Sequence, residues 1–227
     1  MIVKFRIQVY AWIFFQFIPE TAMEVIDKGC SNGELGSALR SSVPGRKVIG
    51  IEGDTNFCEQ TKARLDAVIQ ADLDQFDWKK FFPKESVDCL IFSDVLEHLV
   101  DPWKCLKSAC FCLRPGGTVI VSVPNIRHIT AFFCIFLCGR FPRISRGLFD
   151  RTHLRWFTIS DATNPLITSN LDVEKYDYSL RIRDRGDGLL NKATRKLLTP
   201  VQSFYPIKEF LSYGVCIQAK KPLPPIP

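Results

Sequence analysis

The chain has 227 residues, 46% hydrophobic and 24% charged; this suits one sizeable α/β domain, is too short for two large ones and argues against disorder. Its formal net charge of +6 is uneven: residues 1–120 hold 14 Lys and Arg against 16 Asp and Glu, and residues 121–227 hold 16 against 8, so the basic part is the second half. Nine cysteines, an odd number without paired C-x-x-C or spaced His motifs, argue against a disulfide framework and for reduced, mostly buried thiols in a cytoplasmic protein. A metal held by Cys110 with Cys112, or by Cys134 with Cys138, is the minor alternative.

Residues 1–22 form an N-terminal segment that opens MIVKFRIQVYAWIFFQFIP. Arg6, Gln8 and Gln16 interrupt it and no small-residue cleavage site follows, so it reads as a helix or strand packed on the core, with peripheral membrane contact as the alternative. From residue 23 the chain alternates regularly. MEVID (23–27) predicts a first buried strand, VIDKGCSNGELG a loop and ELGSALRSS a helix. KVIGIE (47–52) predicts a second strand, and NFCEQTKARLD (56–66) a helix with Phe57, Thr61 and Leu65 on one face. AVIQAD (67–72), VDCLIFSD (87–94) and TVIVSV (118–123) predict three more strands, with the Pro-bounded helix DPWKCLKSACFCL before the last. Short apolar runs spaced by helices argue βαβ units and a parallel sheet.

Beyond Pro124 the rhythm breaks. ITAFFCIFLC (129–138) is too short to span a bilayer, and arginines follow at 140, 143, 146, 151 and 155. LDVEKYDYSL (171–180) and SYGVCIQAKK (212–221) predict strands on either side of a basic helix, LLNKATRKLL; the tail PLPPIP reads as extended. Asn164-Pro165 predicts a break in the helix expected after WFTISD.

In an open parallel sheet, ligands sit at the carboxyl ends of the strands, where a glycine loop lets the backbone approach. The loop 25–36 is so placed, but glycine alone marks many turns. Asp27, Glu52, Asp72 and Asp94 each close one of four successive predicted strands at that edge, which core packing does not explain. Glu52, 19 residues past Gly33, is where a carboxylate accepts ribose hydroxyl hydrogen bonds.

These residues carry a resemblance. Asp27-Lys28-Gly29-Cys30-Ser31-Asn32-Gly33 resembles the D-x-G-x-G-x-G loop of class I S-adenosylmethionine-dependent methyltransferases, Gly50-Ile51-Glu52 their ribose-binding strand end and Ala71-Asp72-Leu73 their adenine segment. DVLEHLVDPWKCLKSACFCLRPGGTVIVSVPN (94–125) resembles their fourth strand, helix and fifth strand. The resemblance implies a Rossmann-like, seven-stranded, mostly parallel sheet with helices on both faces over residues 23–227, its last strand antiparallel, with an acceptor-side insertion at about 126–158. It implies S-adenosylmethionine as cofactor: Gly29 and Gly33 closing on the methionine moiety beside Asp27, Glu52 on the ribose, Asp72 with Leu73 on the adenine, and Asp94 and Val95 lining the cleft. Ser31 departs from the pattern, so its side chain must point away from the ligand or the loop must shift. LFDRTHLRWFT (148–158) and the closing strand further resemble a bacterial and archaeal subgroup associated with polysaccharide or glycolipid assembly.

Methyl transfer to a hydroxyl needs alignment and a base. His98 in LEHL is the candidate, with His153 weaker; each also reads as a packing residue, His153 through Asp150 or Glu97. Asp94-x-x-Glu97-His98 with a later histidine is the analogue of a divalent-metal segment in some methyltransferases, but D-x-L-E-H occurs widely without metal and none is assigned. The segment after the fourth strand lacks N-P-P-Y and P-C motifs, so nucleic acid is not favoured. The basic second half fits phosphate on a lipid- or nucleotide-linked sugar, or a solvated loop with snorkelling arginines. The expected reaction is O-methylation of a saccharide or other small acceptor. A cofactor-binding module without turnover and a membrane-surface accessory protein of a polysaccharide pathway are the alternatives.

Overall fold

The structure, a computed structural model, describes residues 14–180 and 205–225. The expected basic helix LLNKATRKLL and most of the N-terminal segment lie outside the described residues. Seven strands form one sheet in the order β3-β2-β1-β4-β5-β7-β6: β1 (Glu24–Lys28), β2 (Lys47–Glu52), β3 (Ala67–Gln70), β4 (Val87–Ser93), β5 (Leu113–Pro124), β6 (Asp172–Leu180) and β7 (Ser212–Lys220). The first five pair in parallel, while β7 runs antiparallel to β5 and β6. β1 is central, with Asp27 opposite Gly50 of β2 and Ile91 of β4. The strand order reverses beside it, the position where parallel sheets open a ligand crevice.

Strand alternation divides the core between two faces. Ile26, Ile51, Leu90, Phe92, Val121 and Ile217 pack beneath α3 (Trp78–Phe81), α4 (Pro102–Ala109) and α6 (Ile159–Thr168). Val25, Val48, Cys89, Ile91 and Ile120 face Leu39 of α1 (Glu34–Ser42), Leu65 after α2 (Thr55–Lys62), and Phe14, Phe17 and Ile18. The N-terminal segment is thus core packing where it is described.

Three expectations need correction. Of the face expected on helix α2, Thr61 and Leu65 are buried, with Cys58 beside them, while Phe57, in the first turn, is exposed; Asp54 caps the helix by accepting from the Asn56 and Phe57 amides. β3 stops at Gln70, leaving Asp72 two residues past the strand. Helix α6 runs through Pro165: the proline, seventh in the helix, forfeits the bond to the Asp161 carbonyl and crowds it, and burial of Ile159, Ala162, Pro165 and Leu166, with a Thr158–Asp161 capping box at the start, holds the helix against that cost.

The chain leaves β1 through alternate left-handed residues: Gly29 (φ 63°), Ser31 (φ 49°) and Gly33 (φ 75°). A Cβ on Gly29 would lie 2.0 Å from Val95 Cγ2, and one on Gly33 2.8 Å from Thr61 Cγ2. Glycine is required at both positions by conformation and by close neighbours of this chain itself. Ser31 has its side chain in solvent and so avoids the clash, though it keeps the backbone strain. Ser31→Gly should therefore raise stability by about 0.5–1 kcal/mol, and Gly29→Ala should lower it by about 2 kcal/mol or more. Urea unfolding of both variants checks this ordering; a destabilised Ser31→Gly contradicts it.

Beside the loop, Lys28 is fully buried, its Nζ 3.3 Å from the Phe92 ring centroid and 4.3 Å from that of Trp78. Nζ has no hydrogen-bond partner among the described residues. Burial pushes its pKa down from 10.5 to about 8. Between those values the unfolded chain binds the extra proton, so stability should rise with pH across that window. Lys28→Met should remove this rise and add about 1–2 kcal/mol at pH 7, read from thermal melts at a series of pH values.

Candidate functional site at the carboxyl edge of the sheet

The four acidic residues meet the expectation unequally. Asp27, the penultimate residue of β1, is 1% exposed, and its Oδ2 has no hydrogen-bond partner among the described residues. Burial first, and then the negative charge of Glu52, raise its pKa from 3.8 to about 7. A buried carboxylate of this kind costs free energy until a donor or cation meets it, which makes Asp27 a candidate site residue.

Glu52 ends β2 and already gathers backbone amides. Oε2 accepts the Ser31 N–H at 2.8 Å, while Oε1 accepts those of Gly53 and Asp54 at 2.9 Å. A carboxylate has about four acceptor positions, so capacity remains on Oε2, beside the loop. The loop is held further by Thr61, whose Oγ1 donates to Ser31 O at 2.7 Å, and by Arg64, whose Nη1 donates to Asn32 O at 2.7 Å. Both lie on or just after α2; the sequence placed Thr61 on the packed face of this helix but gave it no part in the loop, and it did not single out Arg64, since neither residue type there carries a motif signal. Gly33 opens α1 without a side-chain cap, which leaves the helix end to its own amides and to Asn32, whose Oδ1 accepts from Glu34 at 3.3 Å.

Asp72 is exposed and closes an Asx turn by accepting the Asp74 N–H at 2.9 Å. Leu73 is 9% exposed and belongs to the core. Asp94 follows β4 in left-handed conformation, φ 49°, its Oδ1 accepting from Ser122 Oγ at 3.0 Å. Val95 is 8% exposed and packs on Gly29; it supports the loop from beneath more than it lines an open cleft.

Beside Asp94 lies a small pocket lined by Ser122, Pro124, Asp177, Tyr213 and Cys216. Ser93, Ser122, Cys216 and Asp177 stand in register across β4, β5, β7 and β6, so alternation places them on one face of the sheet. The sequence reading missed Ser122 and Asp177. Their only signal was polarity inside strands otherwise built of apolar residues, and it becomes legible once the register is known.

The two candidate histidines are brought together, although neither lines that pocket. His98 closes a single 3-10 turn, Leu96–His98, after β4. Its ring lies 4.8 Å from that of His153, and Glu97, His98 and His153 offer ligand atoms within 4.8 Å of one another. The cover segment, residues 126–158, locks onto this turn: Leu154 and Arg155 donate their N–H groups to Glu97 O at 2.8 and 3.0 Å. His98 Nδ1 lies 3.3 Å from the Thr152 carbonyl oxygen. A carbonyl only accepts, so Nδ1 carries the proton and Nε2 keeps its lone pair for a proton or a cation. Burial, then the neighbouring His98, hold His153 below the ordinary imidazole range. His128 is fully buried and caps α5 (Ile129–Phe132), away from this role. The cysteines are all free, and among the described residues the cysteine pairs 110/112 and 134/138 form no metal-ligand group.

The S-adenosylmethionine expectation fits these residues. Asp27 is a buried acceptor without a partner, Glu52 has spare capacity, and three left-handed residues make the loop between them concave. The profile of a methyltransferase domain family matches residues 8–176. A "Probable S-adenosylmethionine-dependent methyltransferase" of Mycolicibacterium smegmatis is 33% identical over 66% of this chain and 52% of its own length. Trans-aconitate 2-methyltransferase of Azoarcus sp. is 27% identical over 47% of this chain and 41% of its own. The chain spans about a third to a half of the length of the curated relatives it matches. Among solved structures, a SAM-dependent methyltransferase from Archaeoglobus fulgidus superposes with a TM-score of 0.68 at 17% identity, covering 96% of both chains; at that identity it speaks for the fold. Fold, loop and matched domain agree: the chain belongs to the class I S-adenosylmethionine-dependent methyltransferase family.

Proposed function

We propose that the chain methylates an oxygen of a saccharide or related small acceptor, with His98 removing the acceptor proton. The observation that carries the cofactor half is Asp27, a buried carboxyl without a partner beside a strained loop tied to Glu52. S-adenosylmethionine supplies a methyl on a sulfonium, which departs as a neutral thioether. Around it, Asp27 supplies negative charge to a ligand cation, Glu52 accepts hydroxyls, and Asp72 and Leu73 border the far end. At the acceptor, the hydroxyl proton passes to Nε2 of His98, while Thr152 holds Nδ1–H and fixes the ring. His153, its pKa lowered by burial and then by His98, packs edge-on against His98 and positions it.

The saccharide reading is supported by the resemblance of residues 148–158 and by the arginines around them, which suit a phosphate-bearing acceptor. A second reading uses the same histidines: Glu97, His98 and His153 would hold a divalent cation that activates the acceptor oxygen. The two part cleanly. If His98 is the base, transfer of labelled methyl from S-adenosylmethionine to a panel of free and phosphate-linked saccharides survives EDTA, and His98→Asn reduces it by roughly 10²-fold or more with cofactor affinity intact. Loss of transfer in EDTA, with recovery on adding Mn²⁺ or Zn²⁺, would favour the cation; full activity of His98→Asn would reject both.

For the cofactor, calorimetry should show Glu52→Ala weakening S-adenosylhomocysteine binding by about 1–3 kcal/mol; unchanged affinity would remove Glu52 from the site. A cation beside Asp27 lowers the pKa that burial has raised to about 7. Affinity should therefore fall about tenfold per pH unit below pH 7, level off above it, and lose this dependence in Asp27→Asn. An affinity flat from pH 5.5 to 8 would contradict the role given to Asp27.

A further inference from the structure

We propose that the cover segment docks the chain onto an anionic lipid surface. Helix α5 continues as a π-helical turn, Phe133–Leu137. Its inner side, Ala131 with Cys134 and Ile135, packs on Leu148, Phe149 and Tyr213. Its outer side presents Phe133, Phe136 and Leu137, which are 56%, 73% and 64% exposed. A second apolar group, Phe141, Ile144, Leu154 and Trp156, is also exposed, with Phe141 and Trp156 in ring contact at 5.2 Å. The next ring inward, Phe149, anchors Phe141 at 5.1 Å, so the patch is braced rather than loose. Seven large apolar side chains exposed within residues 133–156 exceed the scattered single residues of an ordinary surface, and such exposure marks a contact surface.

The charge around the patch decides the partner. Arg140, Arg143, Arg146, Arg151 and Arg155 interleave with these apolar residues, and Asp150 is the single acid between residues 126 and 158. Asp150 is occupied by the Thr152 amide and hydroxyl at 3.0 and 2.7 Å. Among the described residues none of the five arginines forms an ion pair with a carboxylate; Arg143 and Arg155 reach backbone carbonyls instead. Aromatic and aliphatic side chains set among unpaired arginines match an interface of acyl chains beneath phosphate headgroups. No helix of the described residues is long and apolar enough to cross a membrane, and residues 129–137 would extend only about 14 Å as a helix, so the segment lies in the interface plane.

The same cover reaches the site: Thr152 meets His98, and Leu154 and Arg155 meet Glu97. Docking would therefore bring the histidine edge of the sheet to the headgroup layer, where a lipid-linked acceptor resides. This last step rests on the proposed function; the docking itself does not.

The test is co-sedimentation of the full chain with sucrose-loaded vesicles of phosphatidylcholine alone or with about 30 mol% phosphatidylglycerol, beside calorimetry with S-adenosylhomocysteine. The proposal expects binding to the anionic vesicles that weakens with salt, falls about tenfold or more in Phe133→Ser/Phe136→Ser, and is lost in Arg140→Glu/Arg146→Glu, with melting temperature and cofactor affinity preserved in both. Absence of wild-type binding, equal binding to neutral vesicles, or undiminished binding by both variants would overturn it. So would a Phe136-dependent dimer in light scattering without vesicle binding, which would assign the patch to a second copy. Vesicle binding without cofactor binding would leave docking standing and sink the methyltransferase reading alone.

Discussion

The hydrogen bond from the Ser31 N–H to Glu52 is the tie on which the carboxyl edge depends. β1 is the central strand, paired on both sides, so the chain leaving it has no lateral room and must turn over the sheet at once. Three left-handed residues make that turn, and Glu52 at the end of β2 captures it midway. Thr61 and Arg64 hold it from α2. Asp27 lies buried just before the turn, and burial, then the charge of Glu52, raises that carboxyl to about 7. Strain in the backbone and a buried charge without a partner are both costs that a folded chain carries where a ligand can offset them.

Residues 126–158 are built on different terms. Past β5 the chain makes a short helix, a π-helical turn and an irregular return that ends in a parallel bridge between Asn125 and Phe157. Its inner residues are core, while its outer residues are apolar and cationic together. The contacts that fasten it to the turn at Glu97 and His98 are mostly backbone amides and carbonyls, which leaves its side chains free to vary with the acceptor.

The cofactor half was legible because its elements obey local rules. Short continuous apolar runs spaced by helices predict parallel strands; the sheet has the expected class and its last strand is antiparallel. Helix boundaries were less legible. Tertiary burial carries α6 through Pro165, where the proline alone predicts a break, and Phe57, placed by spacing on the packed face, is exposed. Side-chain roles at the site were less legible still. Glu52 appeared as a free ribose acceptor, and only the fold shows it already bound to three amides. Ser122 and Asp177 come together through register between strands about 55 residues apart, a relation that no window of sequence contains.

The central claim is that the loop from Asp27 to Gly33, with Glu52, receives the cofactor. A crystal structure of the full chain with S-adenosylhomocysteine tests it most directly. The account predicts ligand density over that loop, ribose hydroxyls on Glu52 and the amino acid end beside Asp27. Density elsewhere on the sheet, with Glu52 still bound only to its three amides and Asp27 still without a partner, would contradict it.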